Sequence, residues 1–325
     1  MHYINKLAYY LVIILIILSI NFFLPRAMPG DPLAYVLGEN PDMPIRMTEE
    51  EREMKLAEYG LDKPLPEQYV DYMIKLSKGD LGHSIYYKNP VMDEILIRLK
   101  WTLLLTGTAT VIYMPLGIFL GAESAWARGK KKDTLSLITI LTVSSFPSFV
   151  LGTLFVIFFA FKLGLFPLGC ANTIGATYAN PLEEALDILH HLILPVATLI
   201  IAHIGGTYLL MRNSMLSVIG ADYILSARAK GLSERYILNR HAIRNALLPI
   251  VTMAALTIGF MTVGTIFVEK VFAYPGIGLL LYDSVLRRDY PLIQGIFLFI
   301  SIFVVLANFI ADMAYVWLDP RVSDE

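Results

Sequence analysis

The chain has 325 residues, of which 56% are apolar and 17% charged, with a mean hydropathy of +0.60. Soluble domains run at about 45–50% apolar and about 25% charged, so this composition is that of a membrane protein. Twenty-six Lys and Arg against 28 Asp and Glu leave a net charge of −2, which excludes the basic surface that nucleic-acid binding requires. Cys170 is the one cysteine, so neither an intrachain disulfide nor a thiolate metal cluster can form.

Crossing a hydrocarbon core takes about 20 mostly apolar helical residues. Six uncharged runs of that order stand at residues 8–24, 101–121, 134–161, 191–211, 247–268 and 292–318, with Asp312 the one acidic side chain in their interiors. The first run follows Lys6 and continues into Pro25-Arg26 without a small-residue cleavage pattern, so it reads as an uncleaved span. The expected fold is an all-α membrane protein of six transmembrane helices, with a small extracytoplasmic domain between the first and second. Pro147 and Pro195 are expected to mark kinks, where neighbouring groups re-satisfy the freed carbonyls.

Orientation follows from Lys and Arg in short loops. With the N-terminus inside, the inner side holds Lys6, Arg128, Lys130, Lys131, Lys132, Arg212, Arg228, Lys230, Arg235, Arg240, Arg244 and Arg321, twelve in all. The short outer loops hold four: Lys162, Lys270, Arg287 and Arg288. The remaining ten lie in 26–100, a segment long enough to be exempt from the rule. Both termini are therefore expected in the cytoplasm. The chain divides into an N-terminal tail and first span at 1–25, an extracytoplasmic domain at 26–100, and a five-helix core at 101–325 with a cytoplasmic loop at 213–247. The outer segment contains helical apolar spacing around Pro66-Glu-Gln-Tyr-Val-Asp-Tyr-Met-Ile-Lys-Leu76. It suits either a solvated cap or a docking surface for a soluble partner.

Residues 214–246 carry apolar and basic side chains at helical spacing, with no Pro and few Gly, so short helices are expected there. On physics alone the stretch would suit an interfacial amphipathic helix held near lipid headgroups. Its wording points further. The run Gly220-Ala-Asp-Tyr-Ile-Leu-Ser-Ala-Arg-Ala-Lys-Gly-Leu-Ser-Glu-Arg-Tyr-Ile-Leu-Asn-Arg-His-Ala-Ile-Arg-Asn-Ala-Leu-Leu-Pro249 closely resembles the cytoplasmic coupling loop of ABC importer permeases of the dipeptide, oligopeptide and nickel group. Met28-Pro29-Gly30-Asp31-Pro32, Leu61-Asp62-Lys63-Pro64-Leu65 and Lys78-Gly79-Asp80-Leu81-Gly82-His83-Ser84 resemble that group's B-type subunit. Phe272-Ala-Tyr-Pro275-Gly276-Ile-Gly278, Arg288-Asp289-Tyr290-Pro291 and Asp319-Pro320-Arg321 extend the likeness almost to the C-terminus. The general pattern of such loops is Glu-Ala-Ala, three residues, Gly, nine residues, then Ile-any-Leu-Pro. Ala227 and Gly231 fit it, Leu225 replaces the Glu, and Arg244 stands where the Pro would fall, with a proline instead at Pro249; the departure reads as subfamily character.

The resemblance implies a prokaryotic inner-membrane subunit that forms half of a translocation pathway, with a C-type second permease, two cytoplasmic ATP-binding-cassette ATPases and an extracytoplasmic substrate-binding protein as partners. It implies no cofactor. The coupling residues it marks are Asp222, Ala227, Arg228, Lys230, Gly231, Leu232, Ser233, Glu234 and Arg235. Among them and their neighbours, Arg228, Lys230, Glu234 and Arg235 offer charge to a protein groove, while Leu225, Leu232 and Ile237 offer apolar anchors. A phosphate-binding Gly-rich loop is missing: the one Gly-Lys pair, Gly129-Lys130, is followed by Lys131, and Ser124 takes the place of the earlier glycine. ATP hydrolysis is therefore expected on a separate chain.

His203, beside Gly205-Gly206, and Asp312 are candidates to line a pathway. The plainer expectations are a buried, hydrogen-bonded imidazole and a structural carboxyl near the cytoplasmic surface, within reach of Asn308. The glycines would permit close helix packing. His190-His191 at the outer mouth could meet a metal. Peptides are the expected cargo, with nickel or another small solute as the alternative. A self-sufficient secondary transporter or channel is the reading from a different class, but neither midplane ionisable groups nor inverted repeats are evident. An intramembrane enzyme would need a catalytic constellation such as His-Glu-x-x-His, which is absent.

Overall fold

The computed structural model describes residues 2–27, 48–247, 249–251, 253, 254, 257 and 265–318, and their side chains except at 2–11, 13, 55 and 307–318. The motifs at 28–32 and 319–321, the Asp312 side chain and much of the run 247–268 lie outside the described residues. In chain order the helices are α1 (His2–Arg26), α2 (Glu49–Glu58), α3 (Leu65–Ser77), α4 (Val91–Trp126), α5 (Lys131–Ser144), α6 (Ser148–Phe155), α7 (Pro181–Ile219), α8 (Asp222–Ala229), α9 (Glu234–Tyr236), α10 (Ile243–Ala246), α11 (Ile266–Val271), α12 (Ile277–Arg287) and α13 (Tyr290–Leu318). A π-helical turn at Val156–Lys162 continues α6, and another at Ile237–Ala242 joins α9 to α10. Among the described residues there is no strand, only an isolated bridge between His83 and Pro90.

By length and composition, α4 and α7 are each able to cross a membrane. The run 134–161 is not one straight helix: α5 and α6 meet at 85° across a short break, so they count as a third span only if the bent pair is taken together. Pro147 explains the break. It caps α6, and a residue preceding proline is kept out of the helical region by the pyrrolidine ring, so α5 cannot run on. Pro195, by contrast, lies inside the unbroken helix α7.

The chain forms two compact units. The larger comprises Trp101–Pro275 and Val304–Glu325. Its first apolar core joins Leu105, Ala109 and Tyr113 of α4 to Leu192, Leu194, Val196 and Leu199 of α7, with Val268, Phe272 and Tyr274. Farther along the same two helices the backbones come close. A Cβ at Gly121 would lie 2.5 Å from the Tyr208 carbonyl oxygen, and one at Gly117 would lie 2.8 Å from the Thr207 Cβ. The two glycines are four residues apart and so share one helix face, the small-xxx-small arrangement by which helices approach in an apolar solvent. Gly205 does the same for α5, since its Cβ would fall 2.7 Å from that of Ser144. The expectation of close packing at Gly205 is met there; Gly206 faces more open space.

At the α7 end of this contact lies a buried polar cluster. Arg212 of α7 donates two hydrogen bonds to Asp133 in the first turn of α5, from Nε at 3.0 Å and from Nη2 at 2.9 Å. Ser124 of α4 donates to the same carboxylate at 2.6 Å. Its single proton is thereby used, so the Tyr208 hydroxyl, 2.6 Å away, donates to Ser124 Oγ. Ser124, Tyr208 and Asp133 are all buried. Three helices thus meet at one carboxylate whose charge is matched by a two-pronged guanidinium.

The smaller unit comprises Met1–Lys100 and Gly276–Phe303. Phe22 of α1 is fully buried against Tyr69 and Tyr72 of α3, with ring centroids 5.1 and 5.5 Å apart. Asp289, in the turn between α12 and α13, is 1% exposed and accepts from the Ser84 hydroxyl at 2.5 Å and the Tyr86 amide at 3.0 Å. Residues of the hydrophilic segment 26–100 therefore share a core with 276–303.

If the α4–α7 approach at Gly121 carries stability, Gly121→Ala will destabilise the chain by about 1–3 kcal/mol through overpacking against backbone. Gly107→Ala on the same helix, with nothing within 4 Å of the new Cβ, will be neutral or stabilising by up to about 1 kcal/mol. Thermal unfolding of the two variants in detergent measures the difference, and equal midpoints would remove this contact from the account.

Candidate functional site

The stretch expected as a coupling loop at 213–247 is helical for most of its length. Its first residues, to Ile219, are the last turns of α7, so the connecting segment proper begins at Gly220. Asp222 stands in the first turn of α8 and Arg228 in its last, each charge opposing the helix dipole. The helix stops at Gly231. Its amide donates to the Arg228 carbonyl at 2.9 Å and the Leu232 amide to the Ala227 carbonyl at 3.4 Å, the pair of bonds of a Schellman ending. This closure needs a left-handed residue, and Gly231 has φ of +75°. Nothing lies within 4 Å of where its Cβ would be. Within this chain Gly231 is therefore a helix terminator, and its face is open.

Burial divides the segment in two. Ile224 and Ala227 of α8, with Ile237, Leu238, Ala242 and Ala246, pack against Ala122 and Ala125 of α4 and against Met211 and Met215 of α7. Each large apolar side chain buried there contributes about 1.5–3 kcal/mol. Ala227 and Ile237 were expected to face a partner and instead face this chain's own core, at 5% and 0% exposure. The reason is helical phase. Ala227 follows Ile224 by three residues, and Ile237 starts the π-helical turn that returns the chain to α4 and α7.

The outer face carries Tyr223, Leu225, Leu232 and Tyr236, all exposed, together with Asp222, Lys230, Ser233 and Arg235. Arg228 is engaged: its Nε and Nη2 donate to Glu234 at 3.0 and 3.1 Å, and its guanidinium lies 5.4 Å from the centre of the Trp126 ring. An exposed pair of this kind is worth about 0–1 kcal/mol, so buried side chains rather than charges hold the segment in its seat. Tyr223 and Tyr236 escaped the sequence reading. Aromatic residues in a polar connecting segment were the signal, since such side chains are enriched where proteins meet.

The other candidate residues are not brought to this place. His203 is exposed in the single chain with its ring 5.7 Å from that of Tyr113, contrary to the expected buried imidazole, because Gly205, Thr207 and Tyr208 take the buried positions of α7. His190 Nε2 donates to the Leu165 carbonyl at 3.0 Å and His191 Nδ1 to the Asp187 carbonyl at 2.9 Å. Among the described residues no three His, Cys, Asp or Glu side chains group closely enough to hold a metal ion. The Asp133–Arg212 pair was also missed. Arg212 counted only toward the charge balance, and nothing local links it to a residue 79 positions away.

Comparison with known proteins gives a consistent identification. The chain is 35% identical over 312 residues to the oligopeptide transport system permease protein AppB of Bacillus subtilis (strain 168), covering 96% of this chain and 95% of that one. It is 37% identical over 323 residues to the glutathione transport system permease protein GsiC of Escherichia coli O6:H1, covering 99% of each. The GsiC protein of Pectobacterium atrosepticum is 36% identical over 321 residues, 99% of this chain and 98% of that one. Residues 2–106 match the N-terminal family of binding-protein-dependent transport system membrane components, and residues 114–324 match the main one. The chain belongs to the family of binding-protein-dependent transport system inner membrane components.

Proposed function

We propose that this chain is one of two transmembrane halves of an ATP-driven peptide importer, and that its exposed face between Asp222 and Arg235 seats in a groove of a separate cytoplasmic ATPase. The two-sided burial of α8 carries the reading. One side is held by α4 and α7, and the other presents Tyr223, Leu225, Leu232 and Tyr236 to whatever lies beyond. Apolar and aromatic anchors ringed by charge are what a protein groove recognises, whereas a lipid surface selects a helix with an apolar side and a basic side. The peptide cargo is supported by relatives named for oligopeptide and glutathione transport, glutathione itself being a tripeptide.

In this reading six spans cross the membrane, both termini are cytoplasmic, residues 26–100 lie outside, and 101–325 form the core. The twelve-to-four distribution of Lys and Arg supports that orientation. The partners are a second permease, two ATPases and an extracytoplasmic binding protein. The ATPases supply the chemistry of hydrolysis. This subunit supplies the pathway and the lever that opens and closes it.

Two substitutions at Gly231 test the coupling face. Gly231→Ala imposes only the left-handed backbone penalty, about 1–2 kcal/mol, and will retain ATPase association. Gly231→Trp adds bulk to a face that is open in this chain and will lose both ATPase association and stimulated hydrolysis. Wild-type behaviour of Gly231→Trp in co-purification and hydrolysis assays would mean that no partner backbone approaches there.

Orientation is tested by a single cysteine at Asp71 in a Cys170→Ser background. Asp71 pairs with Lys63 at an exposed position, so its loss costs little. A membrane-impermeant maleimide is expected to label it from outside, and labelling only from the cytoplasmic side would reverse the topology.

A further inference from the structure

Along α4 and α7, residues facing the coupling segment alternate with residues facing α5. Ala122, Ala125, Met211 and Met215 receive α8 and the π-helical turn. Ser124 and Arg212, one to three positions away on the same helices, donate to Asp133 of α5, and Tyr208 donates to Ser124. The pair α4–α7 therefore stands between the coupling segment and the bent pair α5–α6. Only the short turn Ala127 to Lys130, with Gly129 left-handed at φ +81°, joins α5 to α4 through the chain. Across that turn Lys132 also pairs with Glu123 of α4 at 2.7 Å, at an exposed position. The bidentate Asp133–Arg212 contact holds the guanidinium at one distance and in one plane against the carboxylate, a more directional tie than a single hydrogen bond.

We propose that Asp133 and Arg212 form a strut that carries displacement of the coupling segment from α7 into α5 and α6, making them positioning residues for transport. The proposal rests on the reading of 222–235 as the ATPase-facing segment. Neither residue lies on that exposed face: Asp133 is buried, and the Arg212 side chain is 16% exposed. Three features distinguish a strut from a generic helix contact. The carboxylate is shared by three helices, the guanidinium meets it with both prongs, and Gly205 against Ser144 gives the same two helices a second point of contact, so that α5 is held to α7 at two places. Asp133 and Ser144 stand at opposite ends of α5, so the contacts with α7 run along the helix. Without the strut, α7 would follow the coupling segment and α5 would lag.

The test uses the assembled complex of both permeases and both ATPases in proteoliposomes, with the binding protein purified together with the ligand it carries from cells. The measured quantities are ATPase association, basal ATP hydrolysis and the stimulation of hydrolysis by the binding protein. Asp133→Asn keeps the side-chain volume and removes the charge. Association and basal hydrolysis are expected to stay near wild type, while stimulation falls about 5-fold or more, the scale of a lost coupling between two sites. A purely structural role would instead lower folded complex, basal rate and stimulated rate together, leaving their ratio unchanged, and that result would overturn the proposal.

A second variant, Asp133→Cys with Arg212→Cys in a Cys170→Ser background, replaces the ion pair by a covalent bridge through a bis-methanethiosulfonate, each Cys thiolate displacing methanesulfinate to form a reducible mixed disulfide. Stimulation is expected to be lost in the unbridged protein, restored by bridging and lost again on reduction. If bridging abolishes stimulation that the unbridged protein retains, the pair must open during the cycle and the strut is wrong. Failure of the underlying reading looks different: Gly231→Trp would then leave ATPase association intact, whatever Asp133 does.

Discussion

The close approach of α4 and α7 is the constraint from which the larger unit is built. Inside a bilayer, lipid tails are as apolar as leucine, so burial alone draws two helices together only weakly. What remains is dispersion at short range and the satisfaction of polar groups. Gly117 and Gly121 provide the first by leaving room for the Thr207 side chain and the Tyr208 backbone. The closeness has a second effect. It places Ser124 and Tyr208 in hydrogen-bond contact, and Ser124 with Arg212 donates to a carboxylate that would otherwise be costly to bury. A looser helix pair would leave Asp133 partly unsatisfied, and α5 would have no fixed seat.

The same helix pair then decides what the connecting segment can show to the outside. Ala122 and Ala125 are small, so α8 and the π-helical turn can lie low against α4, and Met211 and Met215 fill the remaining space with unbranched, adaptable side chains. Every position spent on that seat is withdrawn from a partner. Ala227, one of the two residues at which this loop agrees with its family's pattern, is one of them. Gly231 is another residue with a local duty, since it lets the chain turn back after α8 without strain. A pattern of residue types shared by many loops can therefore record how the loop is held as much as what it touches.

In the smaller unit one buried carboxylate again organises the chain. Asp289 accepts from Ser84 and Tyr86, while its own backbone sits between α12 and α13 just after the left-handed Arg288. Two residues remote in sequence are thereby held together by a charge with several donors, which is the arrangement that burial of a carboxylate requires. The family likeness at Ser84 and at Arg288-Asp289-Tyr290-Pro291 thus falls on two motifs that touch.

Much was legible in the sequence because it depends on composition and short-range pattern. Membrane character follows from apolar runs long enough to span, the positions of α4, α7 and α13 from where those runs lie, and the family from the wording of 220–249. Other features belong to tertiary structure alone. The side of α8 that turns inward depends on its phase against α4 and α7, which no local spacing encodes, so Ala227 and Ile237 were assigned outward. The exposure of His203 depends on which face of α7 its neighbours cover. The meeting of Asp133 with Arg212 depends on three helices arriving together, and a pairing across 79 residues leaves no trace in the local pattern that apolar periodicity and motif spacing can detect.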